Sequence, residues 1–148
     1  MNESQRAVEL FKEGFNCSQS VFVAFAHRFD IDEDTAKKIS AGLGGGIGRL
    51  REVCGAVSGA AMVIGSLASA TEGADVENKQ KNYELVREFA KRFTEENGSI
   101  ICHELLGHDE QTKETAKPER RTAEYYKKRP CVELVEYAAR ILEEMINE

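Results

Sequence analysis

Apolar residues return at helical spacing along most of this chain, and the intervals between the stripes are polar or rich in glycine. From Ser4 to Phe15 the stripe is Ala7, Leu10, Phe11 and Phe15, which predicts a first helix ending near Gly14. Asn16 has the side chain of an N-cap and opens a second helix, with Cys17, Val21 and Phe25 on one stripe beside Phe22, Ala26 and Phe29. Asp30 to Asp34 is a polar break, and a short helix follows through Ala36 and Ile39 to about Ala41. The run from Gly42 to Gly48 is too glycine-rich for a helix interior and too poor in β-branched residues for a strand, so a loop is predicted.

Val53 to Ala70 carries no charged residue over 18 positions, the lower limit for a membrane span. Its Gly, Ala and Ser content, and the lack of a second such segment, predict instead a central helix wrapped by neighbours. Gly55 and Gly59 form a pair of small residues on which another helix, or a ligand, can approach the backbone closely.

After a polar linker around Thr71 to Asp75, a long amphipathic helix is predicted to carry Val76, Tyr83, Val86, Phe89, Ala90 and Phe93 and to end at Asn97 and Gly98. Ser99 is placed to cap a short turn holding Ile101, Cys102, Leu105 and Leu106, which Gly107 ends. His108 to Arg129 is irregular and polar, a long loop with one helical turn at most. Pro130 suits a first helical position, and Cys131, Leu134, Val135, Ala138, Leu142 and Met145 make an apolar stripe to the end. The expected fold is all-α: a single domain over residues 1–148, a bundle of about five to six helices around the small-residue helix, with a glycine-rich loop.

The length suffices to bury a core without crosslinks. Met1 to Glu13 is polar and amphipathic rather than a secretory leader, which places the chain in the cytoplasm, where lone cysteines serve as ligands, redox centres or small core residues. A net charge of −6 argues against nucleic acid and anionic lipid as partners. The local exception is the basic segment 117–129, where Lys117, Arg120, Arg121, Lys127, Lys128 and Arg129 surround Tyr125 and Tyr126. It reads as a solvated basic loop or as a patch for an acidic partner.

The four cysteines, Cys17, Cys54, Cys102 and Cys131, are far apart in sequence, and each falls where a helix is predicted to begin. A helix start presents unpaired N–H groups and a positive dipole end, both of which favour a thiolate. With no Cys-x-x-Cys, a zinc ribbon and a thioredoxin-type centre are disfavoured. Any joint action requires the four helix beginnings to meet; the alternative is four independent buried thiols.

The glycine run lacks the spacing of a dinucleotide fingerprint and the Gly-Lys-Ser/Thr of a P-loop. Two readings remain for it. Gly44, Gly45, Gly46 and Gly48, with Gly55 and Gly59, bring backbone close to an anionic centre such as thiolates or a cluster, with charge from Arg49 or Arg51; or the run is a tight reversal that needs positive φ. His103 and His108 are candidates for metal ligation or proton transfer, His27 a weaker one.

The order Asn16-Cys17-Ser18-Gln19, Gly44-Gly45-Gly46-Ile47-Gly48, Val53-Cys54-Gly55-Ala56-Val57-Ser58-Gly59-Ala60, then single cysteines at 102 and 131, resembles the redox-active protein family named for its C_GCAxxG_C_C cysteine pattern. The resemblance covers nearly the whole chain. One departure is visible: the family label reads Gly-Cys-Ala-x-x-Gly, whereas Cys54 and Gly55 stand here in transposed order. The resemblance implies a small helical protein with redox-active cysteines and, as cofactor, an iron–sulfur cluster or another thiolate-bound metal.

Three functions are thus in view. Cys17, Cys54, Cys102 and Cys131, or a subset, bind a cluster or metal for electron transfer. Alternatively they perform thiol–disulfide exchange without metal, with Cys54 as the attacking thiolate. The third is a structural or binding module whose cysteines are ordinary core residues. A redox function calls for a redox partner protein, and a homodimer follows if no helix of the same chain covers Gly55 and Gly59.

Overall fold

The computed structural model describes residues 1–107 and 115–148. Eight α-helices form a bundle, and no sheet is present among the described residues. They are α1 (Glu3–Lys12), α2 (Cys17–Phe25), α3 (Glu33–Ser40), α4 (Gly55–Ala68), α5 (Val76–Asn97), α6 (Cys102–Leu105), α7 (Ala123–Lys128) and α8 (Cys131–Ile146). The six longest correspond to helices read from periodicity, and α6 and α7, one or two turns each, fall at the short turns expected around Cys102 and within 108–129.

Capping sets where the helices begin. Asn2 with Gln5 and Asn16 with Gln19 each form a reciprocal capping box, in which the amide accepts from the third-residue N–H and the Gln side chain accepts from the cap N–H. The same two side chains also anchor the start of α2: Asn16 Nδ2 donates to the Ala41 carbonyl and Gln19 Nε2 to that of Lys37, both at 2.9 Å. Cys17 is thereby fixed against the end of α3.

Two helices share the centre. α2 is buried on almost every side, through Ser18 and from Ser20 to Phe25, and it packs on α1, α3, α4 and α8. Its broad contact with α4 depends on glycine. A Cβ at Gly59 would lie 2.8 Å from the Ser18 carbonyl oxygen, and one at Gly55 would lie 3.0 Å from the Ser18 nitrogen. The small-residue face is therefore covered within the chain by α2, and the condition on which a homodimer was expected is not met. α8 closes the bundle against α1 and buries Leu134, Val135, Ala138 and Leu142 as its stripe requires.

The long helix departs from its expected stripe. Val76 and Tyr83 are 70% and 63% exposed, and the inward row is Asn82, Leu85, Val86, Phe89 and Phe93. Tyr83 is about 100° around the helix from Asn82, so a polar residue faces in and the aromatic one faces out. Ile39, expected in the stripe of α3, is likewise 54% exposed. No helix among the described residues is long and apolar enough to cross a membrane.

Candidate thiol site

All four cysteines stand at helix beginnings: Cys17, Cys102 and Cys131 are the first residues of α2, α6 and α8, and Cys54 is the N-cap of α4. Their side chains line one cavity of about 330 Å³. Two connections bring the beginnings together. The segments before α4 and α6 pair through an antiparallel bridge between Val53 and Ile101, with Cys54 N–H donating to the Ile100 carbonyl at 2.8 Å and Cys102 N–H to that of Glu52 at 2.6 Å. Gly55 then lets α2 close in, since a Cβ there would be 3.2 Å from Cys17 Cβ and 3.1 Å from the Leu43 carbonyl oxygen.

The helix-start argument predicts four acidic thiols, and the structure corrects it. Cys54 is 3% exposed, and burial pushes its thiol up to about 12, although the N–H groups of Ala56 and Val57 pull the other way. Neither N–H makes a well-formed cap bond to the sulfur. Burial likewise raises Cys102, against the pull of Arg51, whose Nη1 lies 3.6 Å from the Cys102 sulfur. Cys54 as the attacking thiolate is therefore set aside.

Cys17 and Cys131 keep partial exposure on the same cavity. The neighbouring Cys17 thiol holds that of Cys131 below the ordinary value, and the charges of Arg129, Arg51 and Arg121 add to the effect against burial. Cys17 is raised, first by the Cys131 thiol beside it and then by burial.

The glycine run is a left-handed turn. Residues 45 to 49 all have positive φ, including Ile47 at 66° and Arg49 at 64°, and Arg51 follows at 61°. Left-handed backbone costs about 1–2 kcal/mol for each residue bearing a Cβ, so Ile47, Arg49 and Arg51 are strained. Hydrogen bonds across the turn hold it, among them Gly48 N–H to the Gly42 carbonyl at 2.9 Å and Glu52 N–H to that of Gly46 at 2.9 Å. Gly44, Gly45, Gly46, Gly48 and Gly55 border the cavity, whereas Gly59 lies under α2. At 45 and 46 the missing Cβ makes room for the backbone of Arg49 and Arg51, as the tight-reversal reading requires.

Arg121, Arg129, Tyr125 and Glu119 also line the cavity, and none was identified in the sequence as a site residue. Arg121 donates to the carbonyls of Phe11 at 2.8 Å and Phe15 at 3.0 Å, and its guanidinium stacks 4.1 Å from the Phe11 ring centre. Arg129 lies over Tyr125 at 5.7 Å. The signal was present in the spacing of four between Arg121, Tyr125 and Arg129, which marks one side of a helical turn. The basic segment is thus divided, with Lys117, Arg120 and Lys127 outward and Arg121 and Arg129 turned to the thiols.

Histidines contribute nothing to the described cavity wall. His27 pairs with Glu3 at 2.9 Å on the surface, His103 is elsewhere, and His108 lies outside the described residues. Among the described residues no three Cys, His, Asp or Glu side chains group as they would around a metal ion.

Four single cysteines in this order, on four helix starts that meet beside a left-handed glycine turn, match a known profile. The family described as "Putative redox-active protein (C_GCAxxG_C_C)" matches residues 15–145. The chain belongs to this family. An uncharacterized protein of Archaeoglobus fulgidus is 29% identical over 146 residues, which cover 93% of this chain and 88% of the relative. No solved structure matches. At the transposed pair glycine packs closely, since a Cβ at position 55 would lie 3.0–3.2 Å from α2 and the Leu43 carbonyl oxygen.

Proposed function

We propose that this protein is a thiol–disulfide redox protein in which Cys131 is the attacking thiolate and Cys17 the resolving thiol. The observation that supports this most is that Cys17 and Cys131, both partly exposed, line the same arginine-lined cavity. The Cys131 thiolate attacks one sulfur of a substrate disulfide, forming a mixed disulfide and expelling one thiolate. Cys17 gives its proton to that departing thiolate and then attacks Cys131 sulfur, which expels the second thiolate. The products are a Cys17–Cys131 disulfide, one substrate thiol and one substrate thiolate, which takes its proton from solvent, and a dithiol reductant reverses the exchange. Arg51, Arg121 and Arg129 supply charge that favours the Cys131 thiolate.

A second reading rests on the meeting of all four thiols at one cavity. Cys17, Cys54, Cys102 and Cys131 have the donor chemistry of an iron–sulfur cluster, which would supply one-electron transfer. A single metal ion does not fit, because the described side chains do not group around one point. Burial, which raises three of the four thiols, opposes thiolate ligation until bound metal expels the protons. A module with unrelated core cysteines is the least favoured reading, because all four thiols line one cavity beside arginines.

Mild oxidation of anaerobically purified protein, followed by peptide mapping and assay of iron and sulfide, tests these readings together. The expected product is a Cys17–Cys131 disulfide in protein free of iron and sulfide. Stoichiometric iron and sulfide bound through all four cysteines overturns it in favour of the cluster.

A further inference from the structure

Glu119 lies over two deeply set charges of the thiol cavity. Its Oε1 is 3.7 Å from Arg49 Nη2 and accepts a hydrogen bond from Arg129 Nη2. The side chains of Arg49 and Arg129 are only 16% and 12% exposed, whereas that of Glu119 is 46% exposed. A half-exposed carboxylate thus closes, from the solvent side, over two nearly buried guanidinium groups.

The arginines do not depend on Glu119 for position. Arg49 Nη1 donates to the carbonyls of Thr115, at 2.7 Å, and Lys117, while its backbone is held in the left-handed turn. Arg129 rests over Tyr125. Besides the thiols, the described charged residues around the cavity are Arg49, Arg51, Arg121, Arg129 and one acid, Glu119. The described lining thus carries more cationic than acidic groups in a chain of net charge −6, a contrast that favours small anions here.

We propose that Glu119 occupies the place of a substrate carboxylate, and that the disulfide reduced here is a small carboxylate-bearing molecule whose anionic group displaces Glu119 from Arg49 and Arg129. This rests on the thiol reading of Cys131 and Cys17. The exchange of one carboxylate for another leaves neither guanidinium unpaired, so entry has no large electrostatic cost. A volume of about 330 Å³ is at the small end of ligand pockets and suits a small molecule. An adjoining cavity of about 660 Å³ shares Glu119, Tyr125 and Arg129 with the first and gives the displaced side chain somewhere to go.

Reduced full-length protein is to be oxidised with three disulfides of similar length: dithiodipropionate, a dianion; hydroxyethyl disulfide, neutral; and cystamine, a dication. Dithiodipropionate should react about tenfold faster than the neutral reagent, and cystamine slowest. The dianion-to-neutral ratio is the decisive quantity, because the same sulfur attacks both and changes in its ionisation cancel. Removing the competing carboxylate in Glu119→Gln should raise this ratio a few-fold, and Arg49→Gln should lower it about tenfold. Molar salt should compress the ratio in the unaltered protein, which requires no variant to fold. A ratio equal to that of free cysteine, unmoved by salt and by both substitutions, overturns the anion site and leaves the disulfide chemistry standing. Failure of all three reagents to produce a Cys17–Cys131 disulfide overturns the thiol reading and this inference with it.

Discussion

Cys131 and Cys54 begin helices of similar length, 16 and 14 residues, at one cavity, and their thiols are shifted in opposite directions. The wall of Cys17 and Cys131 is partly open, and arginines stand around it. The wall of Cys54 and Cys102 is clasped by the Val53–Ile101 bridge and closed to solvent. The difference shows that a helix beginning does not by itself acidify a thiol. Its dipole and N–H groups act within the first turn and contribute roughly 0.3–1 kcal/mol, which burial readily outweighs. A neighbouring thiol and three guanidinium groups are sufficient at Cys131; two N–H groups are not at Cys54.

Alkylation is the most direct way to break this contrast. At neutral pH Cys131 should be modified at least about a hundredfold faster than Cys54, as followed by mass spectrometry of peptides after limited exposure to iodoacetamide. Equal rates at the two sites would erase the distinction between the walls. The placement of Cys17 depends in turn on the contact of α2 with α4. Gly59→Val, which forces a side chain against the Ser18 carbonyl, should destabilise the protein to urea by about 2 kcal/mol. Gly48→Ala, with open space around it but a φ of 55°, should cost only about 1 kcal/mol.

The closed wall has its own signature in pH. Cys54 loses its proton near 9.0 in an unfolded chain and only at about 12 in the folded one. In that interval the unfolded chain has released a proton that the folded chain retains, so stability falls as pH rises from about 9 to about 12. Thermal unfolding across this window should show the decline, and Cys54→Ala should make it shallower, with the raised thiols of Cys17 and Cys102 keeping part of the slope. Cys131 has the opposite sign: its folded value is depressed, so its contribution is present at high pH and is lost as pH falls through that folded value. The smallest effect is expected at Arg129→Gln, which should move the pH of half-maximal Cys131 alkylation upward and slow the reaction a few-fold at neutral pH, with Cys17, Arg51 and Arg121 still in place.

Much of this was legible along the chain. Asn16 and Gln19 mark the start of α2 because a capping box is local chemistry, and the stripe of α8 follows from spacing alone. Gly98, with a φ of 91°, ends α5 where expected. Tyr83 was misplaced because a helical stripe is broad enough to admit residues on its edge, and only packing against α4 and α8 decides which of Asn82 and Tyr83 turns inward. Arg121 and Arg129 were hidden because a run of basic residues looks the same whether it faces water or wraps back over Phe11 and Tyr125.

By itself the amino-acid sequence determined that the protein is helical, that each cysteine starts a helix, and that a glycine turn precedes the second thiol. These are consequences of spacing, capping and backbone freedom, all of which act over a few residues. Only the tertiary structure decided that the four starts line one cavity, that Gly55 and Gly59 serve α2, and that the thiols of Cys131 and Cys54 are shifted in opposite directions. Those outcomes depend on burial and on charges contributed by residues distant in sequence, and electrostatic energy in a protein is set by distance and solvent exposure rather than by position along the chain.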